Sequence, residues 1–180
     1  MSTSTLEAPV ASATAAPVTA AAPDLATPIG GAMGGVNEFL TFRLGQEEYG
    51  IDILRVQEIR SFEMPTRIAN APSFILGVTN LRGVIVPIID MRLRFHLDNP
   101  VNNDTTVTIV LALGRTTVGM VVDGVSDVTT LTHEQMHPAP AFSAVVDSDH
   151  IHAIGTIDQR MLILIDIVKL MASPGMGLQD

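Results

Sequence analysis

The feature that most constrains this chain is that it repeats itself. Residues 44–59 (LGQEEYGIDILRVQEI) line up with residues 113–128 (LGRTTVGMVVDGVSDV) at a shift of 69 residues. Leu, Gly, Gly and Val recur in step, and Glu58 meets Asp127. Residues 84–91 (VIVPIIDM) then line up with residues 160–167 (RMLILIDI) at a shift of 76. Two matches in the same order describe a duplicated unit, each copy closing with a strand, an Asp and a short helix.

The repeated segments are short, numerous and rich in Val, Ile and Leu, which is the pattern of an all-β protein built as a sandwich or barrel. Strands are expected over residues 39–44, 49–53, 56–60, 78–81, 84–88, 105–113, 117–122, 125–131, 151–157 and 161–165. Alternation in residues 56–60 places Val56, Glu58 and Arg60 on one strand face. The central stretch is residues 77–95 (GVTNLRGVIVPIIDMRLRF), where Arg82-Gly83 supplies the tight link of a hairpin. Pro87 lacks an N–H, so its strand is expected at an edge or a barrel corner. Asp90 caps a short helix on which Met91 and Arg94 share a side. A second short helix begins at Asp166. Two small β-barrels packed together satisfy these elements.

The flanks differ in composition. Residues 1–36 are dominated by Ala, Pro, Thr, Ser and Gly, with prolines at 9, 17, 23 and 28. Such a segment buries too little to offset its ordering entropy and reads as a disordered tail. The globular domain is expected over 37–172, with a frayed end over 173–180.

Composition removes several function classes. The chain has no Cys, so disulfides, thiolate nucleophiles and Cys-ligated metals are out. Its net charge is −9, against the clustered Lys and Arg that phosphate contacts require. Residues 37–95 carry 7 acids and 7 bases, whereas residues 96–180 carry 10 acids and 3 bases, so the excess lies in the second half. No apolar run approaches the roughly 20 residues that span a bilayer. The first basic residue is Arg43, so the start lacks the basic region of a secretory signal. A soluble cytoplasmic protein is expected.

No catalytic signature is present: there is no phosphate-cradling Gly-rich loop and no GxSxG elbow. His133 and His137 have helical ligand spacing, and His150 and His152 alternate beside Asp147 and Asp149, so a His/Asp metal site can be drawn on paper. Pro138 and Pro140 oppose a regular helix after His137. What remains is surface, and Arg82, a cation at the tip between two apolar strands, is its most distinctive residue. A solvated turn residue is the plain alternative. Phe142, just after Pro138 and Pro140, reads equally as an interface anchor or as a plug on the core.

Residues 48–60 (EYGIDILRVQEIR), 66–92 (TRIANAPSFILGVTNLRGVIVPIIDMR), 118–128 (VGMVVDGVSDV) and 160–170 (RMLILIDIVKL) closely resemble the CheW family of bacterial chemotaxis coupling proteins. The resemblance covers about residues 38–170. It implies two intertwined five-stranded, SH3-like β-barrels, no catalysis and no cofactor. It implies as partners the cytoplasmic tip of methyl-accepting chemoreceptors and the regulatory domain of the histidine kinase CheA, joined in membrane-associated arrays, with no nucleic acid and no direct membrane insertion. Position by position, Val56, Glu58 and Arg82 match receptor-facing residues. Residues 135–142 (QMHPAPAF) match a kinase-facing loop, with Phe142 as anchor and His137 where the family often has a basic residue, its charge near neutral pH depending on protonation. Two alternatives stand beside this reading. One is a coupling subunit of a chemotaxis-like pathway with a non-flagellar output. The other is a metal-binding β-protein using the His/Asp segment.

Overall fold

A computed structural model of the protein describes residues 36–98, 100–140 and 148–176. The expected tail, apart from Val36, lies outside the described residues. Eleven strands appear among those described. They are β1 (Asn37–Leu44), β2 (Glu47–Asp52), β3 (Val56–Ser61), β4 (Ile75–Leu81), β5 (Val84–Asp90), β6 (Val107–Leu113), β7 (Thr116–Val122), β8 (Gly124–Leu131), β9 (Met136–His137), β10 (Ile151–Ile157) and β11 (Arg160–Ile165). Two short helices, α1 (Met91–Arg94) and α2 (Ile167–Ala172), follow β5 and β11. Their N-caps are the two Asp residues of the repeat: Asp90 accepts from the Arg92 amide and Asp166 from the Lys169 amide. No helix among the described residues is long and apolar enough to cross a membrane.

The strands form two sheets, ordered β8-β1-β2-β11-β10-β9 and β3-β6-β7-β5-β4. The repeat makes β1 to β5 the counterparts of β6, β7, β8, β10 and β11. Exchanging counterparts converts the second order into the first five strands of the other. Each sheet therefore takes one hairpin from one copy and three strands from the other, with β9 as a fourth in the larger sheet, so the two halves are intertwined. Each order also returns to the chain it began from. Thr66, in the chain leaving β3, exchanges hydrogen bonds of 2.9 and 2.8 Å with Val78 of β4. Likewise β9, in the chain leaving β8, pairs with β10. These pairings carry each sheet's last strands back to the chain that leaves its first, and β9 lies outside every strand expected from the sequence.

The copies meet antiparallel at β1 on β8 and β3 on β6, and parallel at β11 on β2, with Leu164 opposite Gly50, and β5 on β7, with Ile88 opposite Gly119. Side chains from both sheets and both helices, among them Phe42, Leu44, Ile51, Ile89, Leu111, Met120, Leu170 and Met171, form one shared core. Each sheet also has a small core of its own, one around Leu131, Leu162 and Leu164, the other around Val86, Ile88 and Val121. Burial of each such Leu or Ile contributes about 1.5–3 kcal/mol, so the shared layer holds the halves together.

Two expectations are corrected. Of the edge or barrel corner expected for Pro87, the edge is ruled out, because β5 runs between β4 and β7. Pro87 is accommodated there because its β4 partner Val78 directs both its backbone N–H and C=O to Thr66, and the β7 ladder starts only at Ile88. Nor is the chain frayed directly after 172. Pro174–Met176 form a 3-10 turn, and Met176 is buried in the shared core, where its Sδ accepts from Arg94 Nε at 3.4 Å. Residues 177–180 lie outside the described residues.

Candidate partner-docking site

The site is built from the start of β3 and the tip of the β4–β5 hairpin. Asp52 accepts from the Leu54 amide at 2.9 Å and caps a 3-10 turn, Ile53–Arg55, that delivers the chain to Val56. Val56 pairs with Leu111 but Glu58 pairs with Val110, a register shift that leaves Gln57 as an extra residue. Cross-strand partners share a face and successive residues alternate. Val56 and Glu58 therefore lie on opposite faces of the sheet, and the expectation of a shared face is overturned by this bulge. Val56 packs on the shared core. Glu58 keeps company with Arg60, which follows it on the same face.

Arg82 and Gly83 form the tip, with φ of 54° and 88°. Two successive positive φ values between the paired residues Leu81 and Val84 make a type I′ turn. Asn80 steadies it by accepting from the Gly83 amide at 2.8 Å. A left-handed Arg costs about 1–2 kcal/mol, so the fold does not gain from an arginine here. The side chain reaches to β3, where Arg82 Nη2 donates to Glu58 Oε2 at 2.8 Å. Arg82 is 74% exposed and Glu58 22%. Arg60 Nη1 stands 3.8 Å from the other carboxylate oxygen. The structure thus brings Glu58 and Arg82 together, with Val56 at the same strand but turned inward.

The other half of the molecule has the same backbone and different chemistry. β8 carries a matching bulge on β1, with Ser126 the extra residue. The β10–β11 tip is again left-handed at two positions, Asp158 (φ 44°) and Gln159 (φ 71°). The counterparts of Glu58 and Arg82 are Asp127 and Asp158, two acids in place of an ion pair. The bulge and the turn belong to the fold; the arginine at the first left-handed position belongs to one half, the other half placing Asp158 there and Arg160 two residues on.

His137 lies exposed on β9, whereas His133 lies in the preceding 3-10 turn, so the two do not share a helix. Phe142 lies outside the described residues. His150 is buried before β10 and His152 is exposed on it. Among the described residues, no group of three His, Asp or Glu side chains is arranged to hold a metal ion.

Sequence reasoning passed over one cluster altogether. Arg92, only 2% exposed, donates through all five of its side-chain N–H groups. Nε and Nη2 grip the Asp90 carboxylate at 2.9 and 2.8 Å. The remaining donors reach Asn102 Oδ1 (2.7 Å), Asp123 Oδ1 (3.2 Å) and the Val101 carbonyl (3.2 Å). Asp123 in turn accepts from the Gly45 amide at 2.8 Å, which ties the β1–β2 turn to α1. Burial presses the guanidinium pKa down, but the bonds and charges of Asp90 and Asp123 outweigh this and raise it. The only signal in the sequence was Arg92 two residues after a capping Asp.

A pair of interleaved sheets that presents a rigid, charged hairpin tip defines a protein-docking module. A family model described as the CheW-like domain matches residues 38–175. The chain is 57% identical over 143 residues to the chemotaxis protein CheW of Klebsiella aerogenes, covering 79% of this chain and 86% of that protein. It is 34% identical to the chemotaxis protein CheW of Bacillus subtilis, covering 72% and 83%. Among solved structures it resembles the scaffolding protein TtCheW of Thermoanaerobacter tengcongensis, with a TM-score of 0.71, 28% identity, and coverage of 81% of this chain and 94% of that one. The chain belongs to the CheW-like family of chemotaxis scaffold and coupling proteins, and it is not an enzyme.

Proposed function

We propose that this protein couples the cytoplasmic tips of transmembrane chemoreceptors to the histidine kinase CheA, in the cytoplasm at membrane-associated receptor arrays. The receptor is taken at Arg82 and Glu58, and at the half-buried Val56 on the other face of the same strand. The regulatory domain of the kinase is taken at the segment carrying His137 and Phe142. The reading rests on one observation above the others: Arg82 is held left-handed at a hairpin tip, ion-paired to Glu58, and three-quarters exposed. A strained backbone that the fold does not require of an arginine supports a role in recognition.

Binding tests it. The protein is titrated into the isolated kinase regulatory domain and, separately, into a purified cytoplasmic hairpin fragment of a chemoreceptor. Both bind. Arg82→Ala weakens the receptor fragment by about 2 kcal/mol, roughly thirtyfold, and leaves the regulatory domain as before. Failure of the folded protein to bind either partner contradicts the proposal.

A further inference from the structure

One carboxylate, Glu58, stands between two guanidiniums, with Arg82 at 2.8 Å on one oxygen and Arg60 at 3.8 Å on the other. The three side chains sum to one positive charge on a protein whose net charge is −9. They are graded in exposure: Glu58 22%, Arg60 39% and Arg82 74%. The anion is thus the most covered member and the cations face outward. Both arginines retain N–H donors that the single carboxylate does not take, since a guanidinium has five. Beyond the tip, Val84 and Ile85 are 53% and 61% exposed, giving the charge an apolar border.

We infer that Arg60, Glu58 and Arg82 act as a single cationic cluster, in which Glu58 is a positioning residue and the two arginines take a carboxylate of the docked receptor. The inference rests on the coupling role proposed above and gives its receptor face a chemistry. Glu58 acts through the arginines: it fixes Arg82 over the strand and limits its rotamers, so less freedom is lost on docking. Arg60, which no reading of the sequence selected, is the second determinant. The counterpart tip carries Asp127 and Asp158 at these two positions, and its neighbouring Arg160 is drawn to Glu48 at 3.2 Å, so it lacks the paired arginines.

A charge exchange separates recognition from structure. The double variant Glu58→Arg with Arg82→Glu preserves an ion pair across β3 and the hairpin tip. It is expected to fold, with native circular dichroism and native affinity for the kinase regulatory domain, and to bind the receptor hairpin fragment at least about thirtyfold more weakly. Arg60→Gln is expected to weaken the receptor fragment by about three- to tenfold and to flatten the dependence of affinity on NaCl. Glu58→Gln is expected to weaken it less than Arg82→Ala does, because both cations remain. A wild-type protein that does not bind the receptor fragment overturns the coupling role itself. A wild-type protein that binds, while the charge-exchanged variant binds equally well or Arg60→Gln leaves affinity and salt dependence unchanged, overturns only the cluster.

Discussion

Leu164 lies over Gly50 so closely that a Cβ on the glycine would stand 2.9 Å from its Cδ2. Gly119 has the same relation to Ile88, with Thr108 Cγ2 a further 3.1 Å from the added Cβ. These are counterparts in the repeat, and they mark where a strand of one copy is laid parallel on a strand of the other. The glycines provide the space in which the halves interlock.

Alanine at either glycine forces the tip of a buried side chain, Leu164 or Ile88, to move. Gly119→Ala and Gly50→Ala are each expected to destabilise the protein by about 1–3 kcal/mol, read by urea unfolding. Adding Ile88→Val to Gly119→Ala should recover part of the loss, because it removes the Cδ1 that the new methyl meets. Equal stability of wild type and Gly119→Ala would contradict the packing at this join.

The Arg92 cluster predicts a different signature. Arg92→Ala leaves the buried Asp90 carboxylate uncompensated and is expected to cost about 3–5 kcal/mol. Arg92→Lys keeps the charge but has three donors for five acceptors, so it should still cost more than about 1 kcal/mol. A lysine variant as stable as wild type would show that charge alone, rather than the fork, holds α1 to the β1–β2 turn.

Arg82 should separate stability from function. Asn tolerates the left-handed region better, so Arg82→Asn relieves about 1 kcal/mol of backbone strain, offset by loss of an exposed ion pair worth at most about 1 kcal/mol. The expected result is unchanged or slightly raised stability with receptor binding lost about thirtyfold. Clear destabilisation with retained binding would make Arg82 a structural residue.

Tyr49, the single tyrosine of the chain, gives a pH prediction. It is stacked on Phe42 and Phe95 at 6.0 and 5.6 Å between centroids. Burial first, then the charge and hydrogen bond of Glu47, push its phenol up to about 12. A pKa raised on folding favours the neutral form in the native state. Its contribution is whole below about pH 10, the ordinary tyrosine value, and is lost as pH rises through about 12. Absorbance at 295 nm should show no phenolate at pH 10.5 while circular dichroism remains native, and Glu47→Gln should lower the midpoint. Half-ionisation at pH 10 in the native protein contradicts this environment.

How far the sequence revealed the molecule follows from what each signal encodes. The two repeat matches exposed the duplication, and the strands and both Asp caps fell where hydrophobic pattern and turn chemistry put them. The interlacing of copies was not in the repeat, because equal spacing does not say which copy a strand pairs with; family resemblance supplied it. The site was half legible. Arg82 stood out at a turn, but period-two alternation cannot foresee the extra residue Gln57, so Val56 was assigned to the wrong face. Arg92 is a long cation that reaches from Asp90 to the remote Asp123, and Arg60 joins through Glu58 a cluster completed by Arg82, 22 residues further on. Charge patterning along the chain does not reveal such partners.

The central claim is that this protein makes a kinase answer to a receptor. The most direct measurement is the autophosphorylation rate of CheA with chemoreceptors in membrane vesicles, with and without the protein, as receptor ligand is varied. The account predicts that ligand control appears only when the protein is added and disappears with Arg82→Ala, although that variant still binds the regulatory domain. Ligand control that is equally strong without the protein, or absent in its presence although both partners bind, would contradict it.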